Sequence, residues 1–145
     1  MSMPTVLRIS DAASLALHAM VTLAEAPDQR VSAKAIAADL SASEAHLSKV
    51  LQRLAKAGLV ESVRGRGGGF RLARPARRIK LMDVYQAIEG RLPNTQCLMG
   101  KRACKRAVCV MGGLLGTVDM WLRAYLSGTR LSDLANRMGG TDEGA

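Results

Sequence analysis

Residues 41–80 constrain the fold most, because they join a helical pattern to a short hairpin pattern. Four apolar residues recur at helical spacing: Leu47, Val50, Leu51 and Leu54. Such spacing is typical of one buried helix face. Gly58 follows and can adopt the left-handed backbone that ends a helix. Residues 59–63 then mix apolar and polar residues in a way that indicates a half-buried strand, and a run of glycines separates them from residues 70–72. We therefore predict a helix followed by a two-stranded hairpin.

The positive charge of the chain lies in the same stretch. Residues 49–80 contain ten basic residues and one acid, Glu61, so their net charge is +9, equal to the formal charge of the whole chain. The basic residues are Lys49, Arg53, Lys56, Arg64, Arg66, Arg71, Arg74, Arg77, Arg78 and Lys80. A basic excess confined to one helix and its hairpin is typical of proteins that bind duplex DNA. A solvated basic face is the alternative, and the coincidence of charge and motif argues against it.

Helical patterns dominate the remaining sequence, so we predict a mainly α fold. We expect a first helix from residue 10, with Ser10 as its N-cap, to about residue 25, and a second over residues 31–40 with Ser32 as its N-cap. A third helix over residues 44–57 follows a turn at 41–43, and Ser41 and Ser43 are both candidate N-caps for it. Two helices joined by a tight turn and followed by a basic hairpin form a winged helix-turn-helix, whose second helix lies in the major groove. We assign this DNA-binding domain to residues 1–80. The second region, residues 81–145, is predicted to hold a short helix preceded by a short strand near residue 79, a cysteine loop (residues 91–110) and a long amphipathic helix. A last short helix over residues 131–138, capped by Ser132 or Thr129, is expected to follow.

The start of the third predicted helix and the hairpin turn supply the candidate DNA contacts. These candidates are Ala45, Ser48, Lys49, Arg53, Arg64 and Arg66. Arg53 is expected to contact phosphate rather than bases. Arg64 or Arg66 can enter a minor groove, because the neighbouring glycines allow a close approach to the phosphate backbone. A narrow, A·T-rich groove would attract them most strongly.

The long helix, beginning at residue 111 or 113 and ending near 126, has a wide apolar stripe. The stripe consists of Leu114, Leu115, Val118, Trp121, Leu122 and Tyr125. A terminal helix with so wide an apolar face needs a partner, and we predict that it mediates homodimerisation. A dimer also suits a palindromic operator in double-stranded DNA, because two half-sites one helical turn apart match a two-fold axis.

Several other functions are disfavoured by what the sequence lacks. There is no apolar run of bilayer length and no signal-peptide pattern, so we expect a cytoplasmic protein without a membrane partner. Aromatic residues make up only 3% of the chain, too few for a base-stacking platform. No Ser/His/Asp set, carboxylate pair or phosphate-binding Gly-Lys-Ser/Thr loop is present, so we do not expect an enzyme.

Three clustered cysteines, Cys97, Cys104 and Cys109, indicate a metal or redox site. Their spacing matches neither a Cys-x-x-Cys dithiol nor a standard zinc finger. Three thiolates from one loop can ligate an iron–sulfur cluster, which prefers four protein ligands. Four cations lie among them and would stabilise thiolates: Lys101, Arg102, Lys105 and Arg106. A cluster-free thiol switch, a structural zinc site and three free cysteines remain open at this point.

The sequence resembles the IscR/NsrR family of bacterial winged-helix regulators, many of which sense through an iron–sulfur cluster. The resemblance runs from about residue 8 to residue 138. Its motifs are the helix-turn-helix core, Gly58-Leu-Val-Glu-Ser-Val-Arg-Gly-Arg-Gly-Gly-Gly-Phe-Arg-Leu, the three-cysteine loop and Thr129-Arg-Leu-Ser-Asp-Leu. It implies a dimer in which the long helices cross and the cluster loop of one subunit lies near the first helix of the other. It also implies DNA reading by Ala45, Ser48, Lys49 and Arg64, and cluster ligation by Cys97, Cys104 and Cys109.

The chain departs from this family in its fourth cluster ligand. Its cysteine spacings are six and four, where those of the family are nearer five and five. Gly112 stands where one branch has a histidine, and Ser14 aligns with the acidic ligand of other branches. His18 lies one turn after Ser14 on the same face, together with Asp11 and Thr22. The resemblance therefore points to the partner subunit's His18 as the fourth ligand, with Asp11 as the second choice. An ordinary histidine on a polar helix face is the alternative.

These observations predict a homodimeric DNA-binding transcriptional regulator that senses redox, nitric oxide or iron–sulfur status through a cluster, expected to be [2Fe–2S]. A thiol-switch regulator without a cluster is the main alternative. An iron–sulfur electron carrier or a structural zinc protein is disfavoured by the basic segment.

Overall fold

The structure, a computed structural model, describes residues 9–92, 110–111 and 113–138. Six α-helices lie within these residues: α1 Asp11–Glu25, α2 Ala33–Asp39, α3 Glu44–Lys56, α4 Leu81–Glu89, α5 Leu114–Gly128 and α6 Leu131–Met138. One antiparallel hairpin, β1 Val60–Val63 and β2 Gly69–Leu72, follows α3, and a 3-10 turn, Ala76–Arg78, precedes α4. The mainly α fold and the winged helix-turn-helix order are thereby confirmed.

Serine N-caps begin the first three helices. Ser10, Ser32 and Ser43 each accept a hydrogen bond from the backbone nitrogen three residues further on, at 3.1, 3.1 and 3.3 Å. These bonds satisfy backbone donors that have no partner inside the helix. Ser41, the other serine considered as a cap for α3, instead adopts a left-handed conformation (φ 51°) in the turn after α2.

The hydrophobic core is built around α1, which packs against α3, α4 and α6. The predicted apolar face of α3 is fully buried: Leu47, Val50, Leu51 and Leu54 are each at most 1% exposed. α1 contributes Met20 and Leu23, α4 contributes Val84 and Ile88, and α6 contributes Leu131. One core cluster thus contains residues from both sides of position 80. The division into regions 1–80 and 81–145 stays a prediction.

The hairpin forms a wing that is fastened to the segment before α2. Val60 pairs with Leu72 and Val63 with Gly69 in the antiparallel ladder. Val31 adds a bridge to Phe70, with N···O distances of 2.9 and 2.8 Å in the two directions. Our prediction that the second helix begins at residue 31 is therefore wrong, because Val31 uses its backbone groups in this bridge. Similarly, the strand expected just before α4 is only an isolated bridge between Lys80 and Arg130.

Only part of the apolar stripe on α5 packs on the rest of the described chain. Leu115 and Leu126 are buried, whereas Trp121 is 73% exposed and Tyr125 is 53% exposed. Large apolar side chains that are exposed at helical spacing form an apolar patch, and such a patch is typical of an interaction surface. In addition, Leu114 is 52% exposed and Met120 is 69% exposed.

The end of the described chain differs in detail from expectation. Ser132 and Thr129 were considered as caps for the last helix. Ser132 lies inside α6, and the residue that precedes the helix is Arg130, whose N–H donates to the Asp133 carboxylate at 2.9 Å. α5 ends at Gly128, two residues later than predicted. Among the described helices, none combines the length and apolarity needed to cross a bilayer.

Candidate nucleic-acid interface and sensing site

The N-terminal half of α3 presents an exposed face opposite its buried leucines. Ala45, His46 and Lys49 are exposed there, and Ser48 is half-buried. The cap at Ser43 fixes where this half of the helix begins. The structure therefore places three of the predicted DNA contacts, Ala45, Ser48 and Lys49, together on the first turns of one helix. This is the part of a recognition helix that meets base edges in the major groove.

Arg53 lies further along α3 and has a contact inside the protein. Its guanidinium donates a hydrogen bond to the backbone carbonyl of Ile88, in the last turn of α4. The residue is nevertheless exposed overall. Because a guanidinium carries five N–H donors, this bond leaves other donors for a phosphate. Sequence spacing could not reveal the contact, since the two residues are 35 positions apart.

The wing carries Arg64 and Arg66 at its exposed tip. Gly65 and Gly67 adopt positive φ values of 99° and 71°, which let the chain turn within a few residues. Neither arginine has an ion-pair partner among the described residues. The acid of the basic segment, Glu61, instead pairs with Arg71 at 2.9 Å. Both tip charges are therefore available to an anionic partner.

Gly69 fastens the wing to the segment before α2. A Cβ atom built on this residue would lie 2.7 Å from the backbone carbon and oxygen of Val31 and 3.0 Å from the nitrogen of Ser32. Its φ of 152° is also unfavourable for side-chain-bearing residues. The glycine run is therefore needed for close backbone packing as well as for turning. Sequence analysis did not identify the close packing against Val31.

His18 is exposed on α1, on the polar face that was predicted for it. Its Nδ1 lies 2.7 Å from the backbone carbonyl oxygen of Ser14. With the ring proton on Nδ1 this is a hydrogen bond, and Nε2 is then the lone-pair nitrogen. Leu17, Val21 and Leu134 form a shallow apolar cavity of about 110 Å³ beside the imidazole. The arrangement suits a ligand nitrogen whose orientation is fixed by a backbone carbonyl.

The predicted cluster ligands Cys97, Cys104 and Cys109 lie outside the described residues. Within the described residues, no three His, Cys, Asp or Glu side chains come close enough together to hold a metal ion. Asp11, the second choice for the fourth ligand, is exposed in the first turn of α1. The structure therefore positions His18 and Asp11, and their placement relative to the three cysteines stays a prediction.

An ion pair on α5 with a buried carboxylate was missed by sequence analysis. Asp119 is only 6% exposed, and its carboxylate accepts a hydrogen bond from the Arg123 guanidinium at 2.8 Å. Arg123 also donates to the carbonyl of Leu92 at 3.0 Å. The i, i+4 spacing of Asp119 and Arg123 was a usable signal, since such pairs meet on one helix face. Its burial depends on contacts that only the fold provides.

Comparison with known proteins places this arrangement in a family. The sequence matches the Rrf2 family, described as "Iron-dependent Transcriptional regulator", over residues 9–137. The chain belongs to the Rrf2 family. Like other members of the Rrf2 family, it is a DNA-binding transcriptional regulator with a winged-helix fold. The resemblance to IscR-type regulators that was noted from the sequence motifs is thereby confirmed.

Individual Rrf2 relatives support the match along most of the chain. The HTH-type transcriptional regulator IscR of Cereibacter sphaeroides is 31% identical over 134 residues, which are 88% of this chain and 86% of that protein. The structure of CymR, the global cysteine regulator of B. subtilis, has a TM-score of 0.76 at 30% identity and covers 90% of this chain and 98% of that one. The structure of T. potens IscR has a TM-score of 0.73 at 31% identity and covers 96% and 93%.

Proposed function

We propose that this Rrf2 protein is a homodimeric transcriptional regulator that reads a palindromic operator and changes its affinity with the state of its cysteine loop. The observation that carries the proposal is the exposed basic surface formed by α3 and the wing, in a chain that matches an iron-dependent regulator family almost throughout. Such a protein acts where the DNA is, and we place it in the cytoplasm.

For DNA reading, we assign α3 to the major groove and the wing tip to the adjacent minor groove. Ala45, Ser48 and Lys49 would meet base edges, because they share the exposed start of α3. Arg53 would contact phosphate. Arg64 or Arg66 would enter the minor groove, where a narrow A·T-rich segment concentrates negative potential.

The dimer is assigned to the exposed face of α5. Trp121, Tyr125, Leu114 and Met120 would be covered by the same helix of the partner, which removes apolar surface from water. Two α3 helices related by a two-fold axis then match two half-sites. An isolated α5 face of this kind would otherwise be an aggregation liability.

For sensing, we assign Cys97, Cys104 and Cys109 as three ligands of an iron–sulfur cluster, with the partner subunit's His18 as the fourth. When bound, such a cluster supplies a centre that changes with oxidation, nitrosylation or iron supply. The donor set fits, since three thiolates and one neutral imidazole are ligands that iron–sulfur clusters accept. The bond between Nδ1 of His18 and the Ser14 carbonyl supports Nε2 as the ligating atom.

The cluster assignment is tested by purifying the protein without oxygen. Iron and sulfide content and the visible absorption spectrum are measured for the wild type and for His18→Ala, with Asp11→Ala as the matched control on the same helix face. We expect bound iron and sulfide in the wild type, an altered spectrum in His18→Ala and an unchanged one in Asp11→Ala. An altered spectrum in Asp11→Ala alone would transfer the ligand to Asp11. A protein that stays free of iron after reconstitution would contradict the cluster.

DNA reading is tested by titrating the protein with duplexes at several salt concentrations. The duplex with highest affinity is first selected from a random library. Because Lys and Arg contacts to phosphate release counterions, log affinity should fall linearly with log salt, with a slope of about −0.9 for each neutralised phosphate. If the protein binds no duplex at low salt, the assignment of α3 and the wing tip to the DNA grooves is wrong.

A cluster-free thiol switch is the second candidate. It is favoured by the similarity to CymR, the global cysteine regulator of B. subtilis, and by the four cations that lie among the cysteines. Cationic surroundings favour reactive thiolates, which peroxide oxidises to a sulfenic acid or a disulfide. Protein that stays colourless after anaerobic reconstitution, yet loses operator affinity with peroxide and regains it with dithiothreitol, would support this candidate over the cluster.

A further inference from the structure

The pre-loop segment, residues 88–92, runs from the last turn of α4 to Leu92, the last described residue before Cys97. Side chains from two other helices hold its ends. From α3, the Arg53 guanidinium donates to the Ile88 carbonyl. From α5, the Arg123 guanidinium donates to the Leu92 carbonyl at 3.0 Å. The segment that leads into the predicted sensing loop is therefore bonded to both the recognition helix and the proposed dimer helix.

The Arg123 guanidinium is held from its other side by an ion pair within α5. Asp119 accepts from Arg123 Nε at 2.8 Å, and the carboxylate is only 6% exposed. The Arg123 side chain is 35% exposed, so the pair is only partly buried. Loss of Arg123 would leave the buried Asp119 carboxylate without this ion pair. Nε of Arg123 thus donates to the Asp119 carboxylate, while Nη2 donates to the backbone of the pre-loop segment.

The Arg53 contact connects the segment to the DNA side. Arg53 lies on the same rigid helix as Ala45, Ser48 and Lys49, whose buried face is packed in the core. A displacement of the Ile88 carbonyl therefore breaks the bond to Arg53, is followed by the arginine side chain, or moves α3. Since core packing admits discrete rearrangements rather than continuous deformation, small shifts at this point can change the pose of α3.

We propose that Arg53 and Arg123 are positioning residues that couple the cysteine loop to the recognition helix through the pre-loop segment. The inference rests on the proposed function, because it requires that the loop has two states. It assigns a role to Asp119 as well, which keeps Arg123 in place. Proximity alone does not establish that two sites are coupled, so the coupling itself has to be measured.

The test uses two conservative variants, Arg53→Lys and Arg123→Lys. Lysine keeps the positive charge, so attraction to phosphate and to Asp119 is retained, but a single ammonium cannot reproduce the planar fork that contacts two groups. Arg137→Lys is the matched control, because Arg137 is exposed on α6 and undergoes the same chemical change. Thermal unfolding checks that all three variants are folded.

The measured quantity is the ratio of the operator dissociation constants for the two states of the loop. The probe is the duplex selected with wild-type protein, and the states are anaerobic cluster-loaded against cluster-free, and reduced against peroxide-treated. Allosteric couplings are commonly about 5- to 150-fold, and we expect a wild-type ratio in that range. For Arg53→Lys and Arg123→Lys we expect a ratio within about twofold of one, with Arg137→Lys unchanged from wild type.

Two results would overturn the inference, and they are distinguishable. If both lysine variants keep the wild-type ratio, even with weaker binding in both states, the residues serve only structure or DNA contact and the coupling role is wrong. If the wild type itself has a ratio of one in both comparisons, the sensing function fails and the coupling fails with it. Hydrogen exchange of α3 amides adds a second readout: loop state should change their protection in the wild type but not in the two variants.

Discussion

Glycine is required at position 69 because two backbones meet there. The residue has a φ of 152°, and an added Cβ would lie 2.7 Å from the Val31 carbonyl group. Gly69→Ala should therefore lower the free energy of unfolding by about 2–4 kcal/mol, from backbone strain together with overpacking. The measurement is chemical denaturation, followed by duplex binding under native conditions.

The control for this prediction is Gly67→Ala. Gly67 also has a positive φ, 71°, but a Cβ there would meet nothing within 4 Å. This variant should lose only about 1 kcal/mol from backbone strain. Equal losses for the two variants would mean that the close approach of β2 to Val31 does not limit the residue at position 69.

Ser10 has two roles at the start of α1. Its Oγ accepts from the Ala13 nitrogen at 3.1 Å, and its hydroxyl donates to the Glu89 carboxylate. Ser10→Ala should reduce stability by about 2 kcal/mol, the upper part of the range for a lost cap, because a hydrogen bond to a charged group is lost as well. Thermal or chemical unfolding measures the loss.

Ser32→Ala is the comparison for Ser10→Ala, since Ser32 caps α2 at the same 3.1 Å and is exposed. It should cost about 1 kcal/mol. Ser10→Ala and Glu89→Gln should also be non-additive when combined, as contacting residues are. Additive effects would show that the contact between α1 and α4 contributes no stability.

At the scale of elements, the wing combines a rigid base with a free tip. The base is held by the ladder, the Val31 bridge and the Glu61–Arg71 pair, although that exposed pair contributes little energy. The tip presents Arg64 and Arg66 without partners among the described residues. Because the base is rigid, less conformational entropy is lost when the tip binds DNA. A change of charge at Arg64 or Arg66 should therefore alter mainly the affinity for DNA and the preference for one groove sequence.

Arg64→Ala should weaken binding to duplexes with A·T-rich flanks more than to those with G·C-rich flanks, because a narrow minor groove attracts arginine most. The salt slope of log affinity should also become shallower by about 0.9 if one phosphate contact is lost. Fluorescence anisotropy with two duplexes that differ only in their flanks measures both quantities.

Arg137→Ala provides the control for Arg64→Ala, because it removes an equal charge from an exposed position on α6. It should leave flank preference unchanged. If Arg64→Ala reduces affinity equally for both flanks, the arginine contacts phosphate and not the minor groove.

At the scale of the whole molecule, α5 has one face in the core and one in solvent. Leu115 and Leu126 are buried, while Trp121 and Tyr125 are more than half exposed. Trp121→Glu should therefore leave the folded chain intact but prevent dimer formation, since a buried charge at an interface has no compensating partner. Sedimentation equilibrium should report a monomer with unchanged helical circular dichroism.

The control for Trp121→Glu is Gln86→Glu, which adds the same charge at an exposed position on α4. It should remain a dimer. Trp121→Glu should also bind a duplex with two half-sites at least about tenfold more weakly than wild type. In a monomer the second α3 helix is no longer joined to the first, so the second half-site is bound without the high effective concentration that a dimer provides. If the Trp121→Glu protein is still a dimer, the dimer interface does not lie on this face of α5.

The sequence by itself determined the elements and their order. Apolar spacing located the buried face of α3, serines located three helix starts, and the glycine run located the hairpin turn, because these signals act within a few residues along the chain. The charge of residues 49–80 indicated a candidate DNA-binding surface for the same reason, since the basic residues lie in adjoining elements. The motifs also indicated the family.

Only the tertiary structure decided the contacts between elements. Val31 belongs to a bridge rather than to α2 because Phe70 lies beside it in space, at a separation no local rule can detect. In the same way, Arg53 reaches Ile88, Ser10 reaches Glu89, and Arg123 reaches Leu92. These bonds depend on how helices pack, which is a global property of the core. The pre-loop segment therefore acquires its hydrogen bonds to α3 and α5 only when the chain is folded.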